Sequence, residues 1–267
     1  MSELTRTISK SLAGILESLE LKNKELITLK DLESLALNNH VLTAPSLIAS
    51  RLKQSGWLLP TSQRGVWEFV PASRAGVYSN NDPLREIKAF RLVNPDTNCY
   101  LCLQTAAWAL GLSDRIPALK ELAFSTLPKT HIPKGILTYR YEPVLDPVEA
   151  RGTLALAPAS IFVHIASRPE HIRSWESVIE WLPDIVYEMD VDSLITEIKD
   201  RTSSVKQRAG FLLQGMYPEA AEAIYSAWKP TSKVRFGPRT SSIRNDEKWM
   251  ISDTILPFSV KELEKVK

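Results

Sequence analysis

Asp184, Glu197 and Lys199 are the residues whose types suit metal-dependent phosphodiester cleavage. Pro183-Asp184 followed by Glu197-Ile198-Lys199 fits an acid…acid–x–lysine pattern. In such sites the carboxylates hold a divalent cation and the lysine orients the attacking water. That chemistry needs the second acid and the lysine on a strand beside the first acid. Here Val191, Leu194, Ile195 and Ile198 recur at helical spacing, which turns Glu197 and Lys199 to different sides. A similar triplet recurs at Glu86-Ile87-Lys88. His40, His131, His164 and His171 lie in no nucleophile motif, and the ten glycines are scattered singly, making no phosphate-cradling loop. Cys99 and Cys102 have the spacing of half a zinc site, but no second ligand pair follows, so they read as buried cysteines one helical turn apart. A non-enzyme without metal or cofactor is expected.

The polar residues with a more coherent pattern lie between residues 34 and 70. Thr43 is expected to cap a short helix whose first turn holds Pro45, where a missing N–H costs nothing. Leu47, Ile48 and Leu52 then recur toward a core. Ser46, Ala49, Ser50, Arg51 and Lys53 fall on the solvent side. Small and hydroxylated residues permit close approach to a nucleic-acid groove, and the cations answer its phosphates. Gly56 suits the positive φ of a helix end. Trp57, Leu58 and Leu59, then Val66, Trp67, Phe69 and Val70, are apolar and β-favouring, and between them lies a polar loop with Gln63 and Arg64. A helix followed by a hairpin with a basic tip is the pattern of a winged helix-turn-helix. Between Thr43 and Tyr78 four cations (Arg51, Lys53, Arg64, Arg74) face one acid, Glu68.

Two further helices are expected to support this module: residues 5–19, with Ile8, Leu12, Ile15, Leu16 and Leu19 on one face, and residues 29–37 after Thr28. Residues 71–81 are small and turn-forming and mark the expected boundary between a domain of residues 1–75 and one of residues 80–267. The second is expected to be helix-dominated and mixed. Helices start at Asp82-Pro83 and run over residues 98–110; strands are expected near 122–124, 136–141 and 153–156. Further helices follow Pro158, Ser174 and Asp190, and a helical pair at 204–214 and 217–228 breaks at Gly215. Residues 229–244 carry Lys229, Lys233, Arg235, Arg239 and Arg244 with no acid, followed by a strand near Trp249. The fold class is therefore α+β.

The bulk composition agrees. At 267 residues, 44% hydrophobic and 24% charged, the chain is that of an ordinary folded protein. Its net charge is only +2, so any nucleic-acid footprint is a local patch. The sequence contains no run of apolar residues long enough to span a membrane and no signal-peptide layout at the start, and two close cysteines are not a disulfide framework. A cytoplasmic protein is expected.

In this order the parts resemble the AbiEi-type antitoxins, regulators of the AbiE type IV toxin–antitoxin and phage-defence systems. The resemblance rests on Ser55-Gly56-Trp57-Leu58, on residues 105–112 (TAAWALGL), and on Gln207-Arg208-Ala209-Gly210-Phe211-Leu212-Leu213. It departs at Pro158-Ala159-Ser160, where many relatives have proline–glutamate–arginine. It implies a repressor that binds double-stranded DNA of its own promoter, as a homodimer, and antagonises a nucleotidyltransferase toxin without a necessarily stable complex. Arg51, Lys53 and Arg64 would then meet phosphates, Ser46, Ser50 and Gln63 base edges, and Thr43 the backbone. Lys233, Arg235, Arg239 and Arg244 would form a second DNA contact, serve the antitoxic function, or be a solvated loop. The alternative is a metal-dependent DNA nuclease or defence-associated enzyme with a winged-helix targeting domain.

Overall fold

The computed structural model describes residues 10–74 and 79–263. It is α+β and divides into two units, Met1–Thr97 with Thr130–Lys134, and Asn98–Lys129 with Gly135–Lys267. Among the described residues no helix is long and apolar enough to cross a membrane.

The first unit runs α1 (Lys10–Lys22), β1 (Leu26–Thr28), α2 (Leu29–Asn38), α3 (Pro45–Gln54), β2 (Leu58–Pro60), β3 (Val66–Phe69) and α4 (Arg85–Val93). The expected first helix starts at residue 5; residues 5–9, with Ile8, lie outside the described residues. Leu12, Ile15, Leu16 and Leu19 of α1 pack with Leu32 and Leu35 of α2, Ile48 and Leu52 of α3, and Trp57. Thr28 does more than precede α2: its Oγ1 accepts from the Asp31 amide, and Asp31 accepts from the Thr28 amide, a reciprocal cap. Residues 26–28 also form a short strand that periodicity does not reveal. It pairs antiparallel with β3, which pairs antiparallel with β2, giving the order β1-β3-β2.

Two expectations for α3 are corrected. Ala44, without a side-chain cap bond, takes the capping position because Pro45 occupies the first helical one; Thr43 lies one residue outside. Ala49 is buried while Leu47 is 47% exposed, so the apolar face is centred on Ile48, Ala49 and Leu52. The helix ends as expected at Gly56 (φ 74°), with Trp57 N–H donating to Leu52 and Gly56 N–H to Lys53, a Schellman end.

The first unit extends past residue 75 to Thr97, and Glu68 supplies the physical reason. This β3 carboxylate is 2% exposed and accepts from Arg74 at 3.0 Å, Arg85 at 3.0 Å, Ser79 Oγ at 2.8 Å and the Asn80 amide. It therefore ties the turn-rich segment and α4 to the sheet. Burial pushes the Glu68 pKa up, but the Asn80 amide, Ser79, Arg85 and Arg74 outweigh burial and hold it below the ordinary value.

The second unit begins with β4 (Cys99–Leu101), α5 (Leu103–Ala109), β5 (Lys120–Phe124), β6 (Ile136–Arg140), β7 (Val148–Ala150) and β8 (Thr153–Ala155). It continues with α6 (Pro158–Ser167), α7 (Trp175–Val178), α8 (Leu182–Glu188), α9 (Val191–Ile198), α10 (Ser203–Met216) and α11 (Pro218–Ala227). It closes with β9 (Val234–Phe236), β10 (Arg244–Asp246) and β11 (Ile251–Asp253). One sheet has the order β6-β5-β4-β8-β7 and the other β10-β11-β9.

The helix expected over residues 98–110 is instead strand, then helix. Cys99, Tyr100 and Leu101 pair with Phe124, Ala123 and Leu122, and the chain turns at Leu103 (φ 48°). A segment buried on all sides has no amphipathic period to distinguish the two. Cys99 and Cys102 are buried and form no disulfide with each other, but lie on a strand and at a helix cap. Pro183 opens α8 rather than stopping its predecessor, and α10 continues through Gly215 to Met216. Gly215 is required by close approach: a Cβ there would sit 2.0 Å from the Val260 carbonyl oxygen.

Gly210 meets the same constraint, since a Cβ would fall 2.0 Å from the Trp249 ring. Gly210→Ala should gain about 1 kcal/mol of helix propensity and lose about 3 kcal/mol or more to overpacking, a net destabilisation readable by urea unfolding. Glu68→Gln should cost about 2–3 kcal/mol at neutral pH, the two arginines being partly solvated. The Glu68 pKa is depressed in the folded state, so its contribution is complete above its ordinary value of 4.5 and fades as pH falls through the folded one. Wild-type and variant unfolding curves should therefore converge in acid.

Candidate nucleic-acid interface and basic cleft

On α3 the residues Ser46, Ser50, Arg51 and Lys53 are all exposed, and Ser46, Ser50 and Lys53 share one helical stripe. Among the described residues, Arg51, Lys53 and Arg64 have no carboxylate partner. Thr43 is half-buried at the entry to the helix.

The β2–β3 hairpin tip is ordered by its own polar groups. Thr61 Oγ1 accepts from the Gln63 amide at 3.1 Å and donates to the Val66 carbonyl at 3.0 Å, and Gly65 takes φ 81°. Ser62 is tied to α4, its amide donating to Glu86 at 2.8 Å. Glu86 is held below the ordinary carboxylate value: burial raises it, but Ser62 and Arg85 outweigh that. Arg64 projects into solvent, whereas Gln63 is half-buried with its amide nitrogen enclosed. Arg74, counted with the cations of this region, turns inward to Glu68.

In the second unit the cationic tail segment divides. Lys233, Arg235 and Arg239 line a cleft of about 810 Å³ together with Arg168, Glu170 and Arg208. Arg244 does not join them. Its guanidinium donates to the carbonyls of Leu256 at 3.0 Å and Phe258 at 2.9 Å and faces Asp253 at 3.4 Å, so it fastens the segment after β11. Arg168 and Arg208, far from this segment in sequence, join it only in the fold. Arg208 lies in the glycine-containing α10 motif, whose neighbours have packing roles: Gln207 donates to the carbonyls of Ser232 and Trp249, at 2.9 Å and 3.1 Å, and Gly210 admits the Trp249 ring.

The acid–x–lysine residues do not converge. Glu197 is fully buried on α9 and accepts from Tyr141 Oη at 2.6 Å, Ser160 Oγ at 2.8 Å, the amides of Val144 and Leu145 at 2.9 and 3.0 Å, and Arg201. Lys199 and Asp184 are exposed. Ser160, in the tripeptide where the family resemblance departs, is thus a donor to this carboxylate. Among the described residues no group of three or more His, Cys, Asp and Glu side chains is placed to hold a metal ion.

A smaller cavity of about 420 Å³ is bordered by Glu121, Arg173 and Trp181. Burial lifts the Glu121 carboxyl to about 7, against the Thr105 and Gln104 contacts that lower it. Glu121 accepts from the Thr105 amide at 3.1 Å and so caps α5 from a neighbouring strand.

The division within the tail has a simple check. Arg244→Ala should cost about 1–2 kcal/mol through the lost carbonyl contacts. Arg239→Ala should stay within about 0.5 kcal/mol, as for an unpartnered surface residue. Chemical denaturation of the two variants compares them directly.

Residues 100–215 match the family model of the AbiEi antitoxin C-terminal domain. No curated protein matches the chain. Among solved structures, the RV2827C protein from Mycobacterium tuberculosis is similar, with a TM-score of 0.77 and 22% identity over 95% of this chain and 94% of that one. At that identity the likeness concerns the fold. Residues 100–215 are therefore similar to the AbiEi antitoxin C-terminal domain.

Proposed function

We propose that this protein is the antitoxin of a type IV system, which represses its own promoter through the first unit and antagonises a nucleotidyltransferase toxin through the second. The observation that carries the DNA-binding part is the order α1-β1-α2-α3-β2-β3 with the sheet arranged β1-β3-β2. That is the order of a winged helix-turn-helix, with α3 as the helix for the major groove and the β2–β3 hairpin as the wing.

Each element has the chemistry its place requires. Ser46 and Ser50 keep the exposed face of α3 low, allowing close approach to base edges, while Arg51, Lys53 and Arg64 supply phosphate contacts. Gln63, with its amide nitrogen enclosed, fits a loop-shaping role better than base reading. The Ser62–Glu86 bond holds the wing tip in place before DNA arrives, which lowers the entropy cost of docking. The toxin-directed role rests on the AbiEi domain at residues 100–215. Two copies on an inverted repeat would match a two-fold operator.

A salt-titrated gel shift of the whole protein on the DNA upstream of its gene, against scrambled DNA of equal length, tests the regulator. Specific, salt-sensitive retention is expected. Lys53→Ala and Arg64→Ala should each weaken binding and lower the salt slope by about one unit. Equal retention of scrambled DNA, or unchanged affinity in both variants, removes the winged-helix role. Growth rescue on co-expression with the adjacent toxin gene tests the antitoxin half.

A further inference from the structure

The cleft between the end of α6, the face of α10 and β9 brings five cations, Arg168, Arg208, Lys233, Arg235 and Arg239, around one acid, Glu170. Its volume of about 810 Å³ lies within the roughly 300–1,000 Å³ of ordinary small-ligand sites. These residues come from three separate stretches of sequence, so the cluster is a product of the fold and not of a basic run.

Arg208 is the fixed point. Its Nε donates to the Arg235 carbonyl at 2.7 Å and its Nη1 to the Ser167 carbonyl at 3.1 Å. Two backbone acceptors therefore set the plane of the guanidinium, and the donors on Nη2 remain for an acceptor in the cleft. Burial holds the Arg208 pKa below its ordinary value; Glu170 opposes that and Arg168 adds to it. Glu170 is already engaged by Arg168 at 3.4 Å. Among the described residues, Lys233, Arg235 and Arg239 have no carboxylate partner. A concave site that holds this many cations is complementary to an anion.

The wall chemistry narrows the anion. Among the described residues the cleft is lined by no aromatic side chain, whereas sites for single-stranded nucleic acid stack bases on aromatic rings. A concave site of this size also does not follow a duplex groove. What remains is an anion recognised through clustered phosphate oxygens, for which forked arginines are suited. Ser252 and Gly237 (φ 110°) also line the cleft.

We propose that this cleft binds a linear oligophosphate chain, either the triphosphate of a nucleotide or inorganic polyphosphate, with Arg208 orienting it and Lys233, Arg235 and Arg239 closing around it. The proposal is independent of the promoter-binding role, which uses α3 and the wing.

Isothermal titration of the full-length protein with inorganic tripolyphosphate, ATP and AMP tests it. Saturable, salt-sensitive binding of tripolyphosphate is expected, with AMP weaker by about tenfold or more. ATP binding as well as tripolyphosphate identifies the nucleotide as the natural source; tripolyphosphate without ATP identifies inorganic polyphosphate. The Arg235→Ala/Arg239→Ala double variant changes only exposed side chains and leaves the Arg235 carbonyl in place. It should keep the melting temperature and lose affinity by about tenfold or more. Absence of tripolyphosphate binding, equal affinity for AMP, or unchanged affinity in the double variant overturns the proposal. Preference for a single-stranded oligoribonucleotide over tripolyphosphate also overturns it and makes the cleft a nucleic-acid track.

Discussion

A carboxylate taken out of water is tolerable only when several donors converge on it, and both units are built around residues that meet this condition. Glu68 gathers two arginines, a serine and a backbone amide, and Glu197 gathers a tyrosine, a serine, two amides and an arginine. Glu121 supplies the N-terminus of α5 with the acceptor its own capping residue lacks. In each case the donors come from segments without regular structure or from a neighbouring element. The acids thus do the joining that apolar packing cannot, because loops and helix ends bring polar groups to the interior.

This accounts for what the sequence revealed and what it hid. The amphipathic helices were legible where they run unbroken: Leu12, Ile15, Leu16 and Leu19, or Leu194 and Ile198, repeat at helical spacing because one side faces water. Thr28, Ser174 and Asp190 were legible as starts because capping is local chemistry. Residues 98–110 were not, since β4 and α5 are buried nearly all round and only the partner strand at residues 122–124 decides between helix and sheet. The short strands β1 and β7 likewise exist through pairing alone.

Side-chain roles followed the same division. The exposed face of α3 needed only helical geometry, and Ser46, Ser50, Arg51 and Lys53 lie where spacing put them. Residues whose role depends on distant partners were misplaced: Arg74 serves Glu68, Arg244 serves carbonyls near the C-terminus, and Gln63 is partly enclosed. Arg168 joins Lys233 and Arg239 only through the fold. Charge counted along a chain therefore located the basic region but not its shape.

The contact between Gly210 and Trp249 separates the family segment from the folding unit. The matched segment ends at residue 215, yet the ring that covers Gly210 and the carbonyl seated against Gly215 come from residues 249 and 260. Phe211 owes part of its cover to Phe236 of β9. A fragment trimmed to the matched residues would leave one side of α10 bare, an apolar strip suited to self-association. In this protein the segment that matches a family pattern is shorter than the segment whose packing covers α10.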